Sequence, residues 1–428
     1  MKIHNFTALA TTPERKALLD IAEAGFAAID TSSVIHNAVR LHGDTLEAGG
    51  HTVSLAGVNR LIVIAIGKCA ADAAFVVEQI LGDRITDGVV VDVKVCPIME
   101  RLKTFCGTHP LPSDENVHAA EAIRASLAGL TEQDLVIFVI SGGGSTLLFL
   151  PEDRADRNEV KIVTALMDAG ATIQEMNIVR KHLSLARGGY LAKYAYPARV
   201  VSLIMSDVPA NDIAFIASGP TVKDVTTIKD AEKVLEKYDI LKICKLAKCG
   251  MIETPKDDKY FERVTNELIV SNVRALDAMK HAAERLGFKA EIKDSQFTGE
   301  AAQNGEMILA AIEKAPPRSV FLWGGESTVT VRGTGSGGRN LEIALSALRR
   351  VPPGVEILSF ASDGRDHGAF AGAICDTMTK SVAEKAGLDM EAVLKNNDTY
   401  PFFETVGNYL MTGDTGSNVS DLVIALKA

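Results

Sequence analysis

The sequence predicts an α/β protein with two Rossmann-like α/β domains, whose mostly parallel sheets flank an active-site cleft. Apolar runs with the length of buried strands alternate with helical patterns in both halves of the chain. Glycine-rich loops follow strands in each half, at the position where open α/β sheets bind ligands. The length of 428 residues suits two domains. We place them at residues 1–240 and 241–428.

The composition excludes several classes of protein. With a net charge of −10 and a pI near 5.5, the chain repels nucleic acid and anionic membranes. The N-terminal residues are too polar for a signal peptide, and no apolar run approaches ~18 residues, the length of a membrane span. The six cysteines form no CxxC pair, so we expect free thiols in a reducing compartment. A cytoplasmic protein that binds neither nucleic acid nor membrane is expected.

Three buried strands are predicted early in the first half. Arg60–Gly67 is followed by Lys68 at the start of a helix, where a lysine can meet an anion or can simply be solvated. Gly88–Val93 is the second strand, and the irregular loop after it contains His109. A lone histidine is more often structural, but its place in a loop shaped by glycine and proline keeps it a candidate. Asp134–Ile140 is the third strand.

A glycine loop directly follows the third strand. It consists of Ser141, Gly142, Gly143, Gly144 and Ser145, and a short helix is predicted after it. The order of strand, glycine loop and helix is typical of an anion site, because the backbone amides can turn toward one point. The loop is neither a Walker A motif, nor a GxGxxG fingerprint, nor a GxSxG elbow. The alternative is a tight turn between strand and helix.

Further polar residues close the first half. Asn177 and Arg180 lie in a charged helical segment, which is more often a solvated surface. Arg199–Met205 is a fourth buried strand, and Asp207 comes just after its carboxyl end. An aspartate at that position lies where ligand chemistry gathers in open α/β sheets.

The second half contains the stretch on which the interpretation depends most. The apolar run that ends at Trp323 predicts a strand, Glu326 follows it, and the alternation through Val331 predicts a half-buried strand. The segment Arg332–Asn340 then holds several glycines, among them Gly337 and Gly338, with Arg339 and Asn340 before a helix. Such a loop can hold an anion, and the alternative is a flexible hairpin tip.

Two later strands also end beside candidate residues. Glu356–Ala361 is followed by a glycine loop with Asp363, and Asn418 lies in a last glycine loop before the strand Leu422–Leu426. Lysine, arginines, loop aspartates and amide-rich turns suit phosphoryl transfer, which needs cations and amides around phosphates and a carboxylate-held Mg²⁺. A dehydrogenase would need a dinucleotide fingerprint, which is absent. A metabolite-binding protein without catalysis is the third hypothesis.

Taken together, the motifs resemble one family, the class II glycerate kinases, which are ATP-dependent D-glycerate 2-kinases with a C-terminal MOFRL domain. The matching stretches run in family order: Ala65–Lys68, Thr108–Pro112, Ser141–Ser145, Asn177–Ser184, Ser206–Pro209, Ala217–Thr221, Gly324–Val329, Gly337–Asn340, Ser362–Gly364 and Thr415–Val419.

The resemblance implies that a phosphoryl group is transferred from ATP to D-glycerate, with 2-phosphoglycerate as the product. It also implies that the reaction requires Mg2+. It implies that Lys68 and Arg339 contact glycerate or the transferred phosphoryl group, and that Asp207 or Asp363 orients the metal or the hydroxyl. It also implies that the first domain is the glycerate kinase domain and the second is of MOFRL type, and it leaves a homodimer open. The remaining residues expected to bind substrate or nucleotide are Ser141, Gly142, Gly143, Gly144, Ser145, His109, Asn177, Arg180, Glu326, Gly337, Gly338, Asn340 and Asn418.

The chain departs from the family pattern at several loop positions. Ser336 replaces a basic residue, Leu341 a glutamine, and Arg187 a lysine, while Arg365 and His367 also differ from the usual loop. One alternative is therefore a kinase for a related hydroxy acid. The other is an NAD(P)H-dependent hydroxypyruvate reductase, which the Rossmann-like order of strands motivates. Members of the family are also often labelled in that way.

Overall fold

The computed structural model describes residues 1–153, 158–208, 211–246 and 250–428. Pro209, the last residue of the stretch Ser206–Pro209, and Cys249, one of the six cysteines, lie outside the described residues. The chain forms two compact units. The N unit comprises Val34–Ser206 and Asn211–Ile269, and the C unit comprises Met1–Ser33, Asp207–Ala210 and Val270–Ala428. The predicted domain boundary at residue 240 concerns the two family domains and stays a prediction.

Most strands are short, apolar and buried. They are β1 (Val39–His42), β2 (Thr45–Ala48), β3 (His51–Ser54), β4 (Leu61–Ile66), β5 (Asp87–Asp92), β6 (Lys103–Cys106), β7 (Leu135–Ile140), β8 (Arg199–Met205), β9 (Val264–Val270), β10 (Lys289–Phe297), β11 (Ser319–Gly325), β12 (Val355–Ala361), β13 (Gly372–Cys375), β14 (Tyr409–Leu410) and β15 (Asp421–Lys427).

The helices pack on the sheets through their apolar faces. They are α1 (Phe6–Leu9), α2 (Pro13–Ala28), α3 (Thr31–Ala38), α4 (Ala70–Leu81), α5 (Asp114–Ser126), α6 (Gly144–Leu147), α7 (Asn158–Asp168), α8 (Ile173–Lys181), α9 (Tyr190–Ala195), α10 (Ile228–Lys237), α11 (Ile240–Ile243), α12 (Asn272–Arg285), α13 (Ala301–Glu313), α14 (Arg339–Leu348), α15 (Thr377–Lys385), α16 (Met390–Asn396) and α17 (Thr399–Val406).

The main sheet of the N unit has the strand order β6-β5-β4-β7-β8-β9. The pairs from β6 through β8 are parallel, and every residue of β4 and β7 is buried because helices cover both faces. This order reverses between β4 and β7, which is the switch point where doubly wound sheets bind ligands. The Rossmann-like prediction is confirmed for this unit. A separate antiparallel sheet contains β1, β2 and β3.

The main sheet of the C unit has the order β10-β11-β15-β12-β13-β14 and is mixed. Only the β10–β11 pair is parallel, and β15 runs antiparallel to both of its neighbours, β11 and β12. The prediction of a mostly parallel sheet was therefore wrong for this unit. The reason is that β15, the last of these strands in the sequence, enters the centre of the sheet from a loop rather than through a crossover helix.

The strand predicted between Glu326 and Val331 is also absent. Thr328 makes an isolated bridge to Glu300, with its amide donating to Gly299 O at 2.8 Å. Val331 is 73% exposed, so the alternation of valine and threonine does not mark a half-buried strand. Instead, the amide and the hydroxyl of Thr330 donate to the carboxylate of Glu300, which directly precedes α13.

The first helices belong to the C unit. Gly25 of α2 lies so close to α12 that a Cβ atom there would be 2.8 Å from Met279 Sδ. Arg15 makes a buried ion pair with Asp376, with 2.6 Å between Nε and Oδ2. Among the residues that the structure describes, no helix has the length and apolar character needed to cross a membrane.

Candidate functional site

Two loops of the N unit meet at the switch point of its sheet. Ile66 and Ile140 are paired at the ends of β4 and β7, so the loops that follow them start side by side. The amide of Lys68 donates to Gly142 O at 2.9 Å, and the amide of Cys69 donates to Ser141 Oγ at 3.2 Å. Gly67 has a φ of +121°, and a Cβ there would be 2.2 Å from Ser141 Oγ. Only glycine therefore permits this approach.

The glycine loop itself keeps its amides open. Gly143 adopts a left-handed conformation with a φ of +81° and begins the short helix α6. Within the described part of the chain, no group accepts a hydrogen bond from the amides of residues 142–145. Four consecutive N–H groups, two of them on the buried residues Gly142 and Gly144, thus have no acceptor within that part of the chain, and loops of this kind bind anions through such amides.

Lys68 and His109 lie beside these amides. A Cβ at Gly143 would be 3.0 Å from Lys68 Cγ and 3.5 Å from His109 Cδ2. The side chain of Lys68 is exposed, and none of the described residues pairs with its ammonium. Desolvation and the positive charges of Lys68 and Arg180 lower the pKa of His109 to about 4. Because His109 is itself exposed, we give the two positive charges the greater weight. His109 is therefore neutral at pH 7.

Arg180 extends this positive region into the interior. Its Nη2 donates to Thr146 Oγ1 at 2.9 Å, and its Nε lies 3.6 Å from Glu159 Oε1. Arg187 is fully buried and pairs with the same carboxylate at 3.0 Å. Desolvation and the charge of Arg187 lower the pKa of Arg180 to about 10. Two arginines share one carboxylate here, so the cluster keeps a net positive charge.

Hydrogen bonds between polar side chains connect the glycine loop to α8. Asn177 Oδ1 accepts a hydrogen bond from Ser218 Oγ at 2.7 Å, and Ser218 Oγ lies 2.8 Å from Ser145 Oγ. The N unit thus brings together Lys68, His109, Ser145, Asn177 and Arg180, which the sequence analysis had singled out separately.

The glycine loop of the C unit is arranged differently. Its amides donate to the connection between α16 and α17, so they are not available to a ligand. Asn397 Oδ1 accepts from the amides of Arg332 at 2.7 Å and Gly333 at 3.2 Å. The next three amides are also occupied: those of Thr334, Gly335 and Ser336 donate to Asn396 Oδ1, Asn396 O and Asp398 Oδ1. The expectation that this part of the loop turns its amides toward an anion was wrong.

Arg339, the first residue of α14, lies between two carboxylates. Its Nε is 2.6 Å from Asp421 Oδ2, and its Nη1 donates to Glu326 Oε1 at 2.5 Å. Burial lowers the pKa of Arg339, but the charges of Asp421 and Glu326 outweigh burial and raise it. Burial, together with the charge of Asp366, raises the pKa of Asp421 to about 7 despite the opposing charge of Arg339. The guanidinium is therefore held at the N-terminal end of α14.

Asn340 connects this pair to a second buried carboxylate. Its Nδ2 donates to Asp421 Oδ1 at 2.8 Å and to Asp366 Oδ1 at 3.2 Å. Asp366 also accepts from the backbone amides of Asn340 and Leu341, so it satisfies the first turn of α14. A Cβ at Gly338 would be 2.3 Å from Asp366 Cγ, which explains the glycine at that position.

The remaining candidates of the C unit lie near the start of β15. Ser420 Oγ donates to the backbone oxygen of Asp207 at 2.9 Å, and the amide of Ser420 donates to Asn418 Oδ1 at 2.9 Å. Asp363 Oδ1 accepts from the amide of Arg365 at 3.0 Å. No group of three or more potential metal ligands occurs among the described residues. Mg²⁺ often takes only one or two carboxylates and completes its shell with water and phosphate, so a carboxylate such as that of Asp207 or Asp363 has the chemistry to hold it.

The sequence analysis did not single out Asp366, Asp421 or Glu159, which take part in these clusters. Asp366 lies in the same loop as Asp363, but nothing local indicates that it reaches α14, 26 positions earlier. Asp421 gives one weak signal, since it is a carboxylate directly before a fully apolar strand. A buried charge at such a place needs a partner.

Comparison with known proteins extends these observations over the whole chain. The family described as "Domain of unknown function (DUF4147)" matches residues 17–248, and the MOFRL family matches residues 319–421. Glycerate 2-kinase of Pyrococcus horikoshii is 37% identical, covering 95% of this chain and 98% of that protein. D-glycerate 2-kinase of Thermotoga maritima is 36% identical, covering 88% and 92%. A relative from Agrobacterium vitis, 36% identical over 85% of this chain and 86% of its own, is provisionally named a hydroxypyruvate reductase.

Solved structures agree with these relatives. The crystal structure of a Pyrococcus horikoshii OT3 protein matches with a TM-score of 0.85 and 36% identity, covering 97% of this chain and 98% of that one. The structure of glycerate kinase from Thermotoga maritima matches with a TM-score of 0.83 and 33% identity, covering 96% and 99%. The resemblance inferred from the motifs is confirmed. The chain belongs to the glycerate 2-kinase family, whose members combine a DUF4147 domain with a MOFRL domain.

Proposed function

We propose that this protein transfers the terminal phosphoryl group of ATP to the 2-hydroxyl of D-glycerate and releases 2-phosphoglycerate and ADP. The observation that carries the proposal is the open loop of the N unit. None of the described residues accepts a hydrogen bond from its four amides or pairs with the neighbouring ammonium of Lys68, in a protein whose net charge is −10. Such local positive potential is what a phosphate ligand requires when the whole molecule repels it.

In this proposal, the N unit binds phosphate oxygens. The amides of residues 142–145 and the ammonium of Lys68 hold the anion, and Arg180 adds positive charge from behind. His109 is neutral and can donate or accept one hydrogen bond without adding charge. Ser145 and Asn177 fix the shape of the loop through Ser218. Phosphoryl transfer needs mainly positioning and electrostatic stabilisation, and these residues provide both.

The C unit would supply the groups for the acid substrate and the metal. Arg339 keeps unused N–H groups for a carboxylate or phosphoryl oxygen, and the proposed substrate contacts also include Glu326, Gly337, Gly338, Asn340 and Asn418. Asp207 and Asp363 would hold an Mg²⁺ that neutralises charge on the phosphates. Such a role for the two aspartates requires carboxylates rather than amides at these positions.

A second function, NAD(P)H-dependent hydroxypyruvate reduction, has one observation in its favour. Asp92 ends β5, next to the first strand of the sheet, where dinucleotide-binding folds place the carboxylate that binds a ribose. In this protein Asp92 is fully buried, and its two oxygens accept from the amides of Ala71 and Val93. Because both oxygens are occupied by the backbone, we favour the kinase.

One experiment separates the two functions. Purified protein is given ATP, Mg²⁺ and D-glycerate, and ADP release is followed with a coupled assay. The product is then given to enolase, which accepts 2-phosphoglycerate and not 3-phosphoglycerate. Parallel reactions contain L-glycerate, other short hydroxy acids, or hydroxypyruvate with NADH. ADP release with an enolase-positive product supports the proposal, whereas oxidation of NADH without ADP release would replace it with the reductase. ADP release with another acid alone would move the substrate to that acid.

A further inference from the structure

Asp421 occupies an unusual place for a carboxylate. It is the first residue of β15, the central strand of the C unit's sheet, and its relative exposure is 0%. Its backbone is paired with Gly325 on β11 and with Ala361 on β12. Glu326 follows Gly325 directly, so two carboxylates stand next to each other at the same end of the sheet. Paired strands on both sides give Asp421 a rigid support.

Arg339 uses these two carboxylates in different ways. Asp421 faces Nε at 2.6 Å, whereas Glu326 accepts from Nη1 at 2.5 Å. Glu326 occupies one of the five N–H donors of the guanidinium, whereas the contact of Nε with Asp421 Oδ2 is an ion pair, since Oδ2 has no hydrogen-bond partner among the described residues. No described residue accepts a hydrogen bond from Nη2, and the side chain is one-third exposed. The unused edge of the guanidinium therefore faces outward in a fixed orientation.

Asp421 is itself held by a hydrogen-bonded chain. Its second oxygen accepts from Asn340 Nδ2 at 2.8 Å, and Asn340 Oδ1 accepts from Ser359 Oγ at 2.6 Å. The hydroxyl of Ser359 thus fixes which end of the Asn340 amide points at Asp421. Oδ1 of Asp421 accepts this hydrogen bond, and Oδ2 is paired with the guanidinium of Arg339 by charge. An asparagine at this position would lose the charge in either orientation of its amide.

We infer that Asp421 is a positioning residue, which orients Arg339 so that its unused N–H groups meet the anionic substrate. The contacts that connect Ser359, Asn340, Asp421 and Arg339 fix the orientation of the guanidinium relative to the sheet. The inference rests on the proposed function in one respect, since Arg339 is taken to contact the substrate. Glu326 is half-exposed and holds only the outer nitrogen, so it contributes less. Asp421 does not touch the substrate.

The pH dependence follows from the groups that surround Asp421. These groups are Arg339 on α14, Asp366 in the loop after β12, and Glu326 after β11. Burial raises the pKa of Asp421 to about 7. As the pH falls through this value, Asp421 takes up a proton and loses its charge, and its ion pair with Arg339 is lost. We therefore expect turnover to fall below about pH 7, and this acid limb should disappear when residue 421 cannot titrate.

The test compares wild type with Asp421→Asn, Glu326→Gln and Ser359→Ala. Steady-state kinetics are measured from pH 5.5 to 8.5, and the rate at which phenylglyoxal modifies Arg339 is measured by peptide mass spectrometry. We expect Asp421→Asn to lower kcat by about 10–100-fold, because the ion pair that orients Arg339 is lost. Its KM for ATP should stay within about twofold, because the N unit is unchanged. Phenylglyoxal should modify Arg339 several-fold faster, and the acid limb should be absent.

The other two variants are matched to this one. Glu326→Gln removes only the carboxylate that faces the outer nitrogen of Arg339. Its activity should still fall at acid pH, and its loss of kcat should be smaller than that of Asp421→Asn. The variant also controls for titration of the nucleotide phosphates. Ser359→Ala should also raise the rate at which phenylglyoxal modifies Arg339, but by a smaller factor than Asp421→Asn. If Asp421→Asn does not fold, Ser359→Ala provides the test. The inference is then wrong if Arg339 is modified at the wild-type rate in Ser359→Ala.

The modification assay also separates this inference from the proposed function, because it contains no substrate. If wild type releases no ADP with glycerate, the proposed function fails, and the reactivity of Arg339 still reports on Asp421. If Asp421→Asn keeps both the wild-type kcat and the wild-type modification rate, the inference fails and the proposed function stands.

Discussion

The two glycine loops of this protein look alike in sequence and differ in what their amides do. In the N unit, the amides of residues 142–145 have no acceptor among the described residues, and the adjoining charges are those of Lys68 and Arg180. In the C unit, five successive amides from Arg332 to Ser336 donate to residues 396–398. The amides of the first loop therefore lack acceptors among the described residues and lie near positive charges, whereas the amides of the second loop donate to other residues of the protein.

The carboxylates near the C unit's loop reinforce this difference. Asp366 accepts from the first-turn amides of α14, in the position that a bound anion would otherwise occupy. Asp421 and Glu326 add further negative charge beside Arg339. The comparison teaches that glycine content gives a loop its freedom to bend, whereas the acceptors and charges around it decide whether it can bind an anion.

The largest effect should come from Lys68→Ala, which removes the unpaired cation beside the open loop. We expect kcat/KM to fall by about 1,000-fold, because the ammonium stabilises charge on the transferring phosphate. Lys68→Arg keeps the charge and should recover part of the loss. Lys103→Ala, which removes an exposed lysine of the same unit, is the control. A Lys68→Ala variant with activity within threefold of wild type would remove the open loop from the proposed site.

Gly143→Ala tests the shape of the same loop. Its φ of +81° disfavours alanine, and the new Cβ would press on the side chain of Lys68 at 3.0 Å. We expect kcat/KM to fall by about 100-fold, with about 1–2 kcal/mol lost from stability through backbone strain. Gly170→Ala is a matched control, since Gly170 has a φ of +75° and no atom within 4 Å of the added Cβ. The control should lose similar stability and keep its activity; equal activity losses in both would contradict the prediction.

Asn397 tests the closed loop, where we expect loss of stability in place of a large loss of catalysis. Asn397→Gly tolerates the left-handed φ of 53° but loses the acceptor for two amides. The expected cost is about 2 kcal/mol, or a Tm about 5 °C lower for the C unit's transition. Asn397→Ala should cost somewhat more, because it adds backbone strain. Differential scanning calorimetry measures both, and a wild-type Tm in the glycine variant would show that the loop is held by other contacts.

The smallest effect is a change in the pKa of His109. Burial, together with the charges of Lys68 and Arg180, lowers this pKa to about 4, so an anion bound beside these charges should raise it, by about one unit. The titration of the His109 ring is followed by NMR, with and without saturating pyrophosphate. Lys68→Ala should also raise the pKa without any ligand. An unchanged pKa in pyrophosphate would indicate that anions bind elsewhere.

Much of the N unit could be predicted because its signals are local. The runs that form β4 and β7 are apolar at every position, and parallel strands buried on both faces require such runs. Because the carboxyl ends of parallel strands share one edge, Lys68 and the glycine loop could be expected to meet. His109 joins them from a longer loop and Arg180 from α8, and for both the sequence gives only the residue type.

The C unit was harder for physical reasons. The alternation at Val329 and Val331 imitates a strand, but strand formation needs a neighbour to pair with, and the segment has only one bridge. The loop at 332–336 is closed by residues about 60 positions later in the chain. The position of β15 between β11 and β12 follows from pairings that no single segment encodes. Asp421 gains its importance only through that placement.

The order of the strands has a consequence for how the protein is made. In the C unit, β15 is the last strand to leave the ribosome, and it occupies the centre of the sheet. The helix α2 belongs to the same unit but is synthesised near the start, with Leu18, Leu19, Ile21 and Phe26 destined for burial. These apolar side chains must wait, exposed to water, until the rest of the unit exists. The N unit, which is nearly continuous in the chain, can fold during this interval. We therefore expect the apolar face of α2 to find its partners only late in synthesis, when β15 completes the sheet.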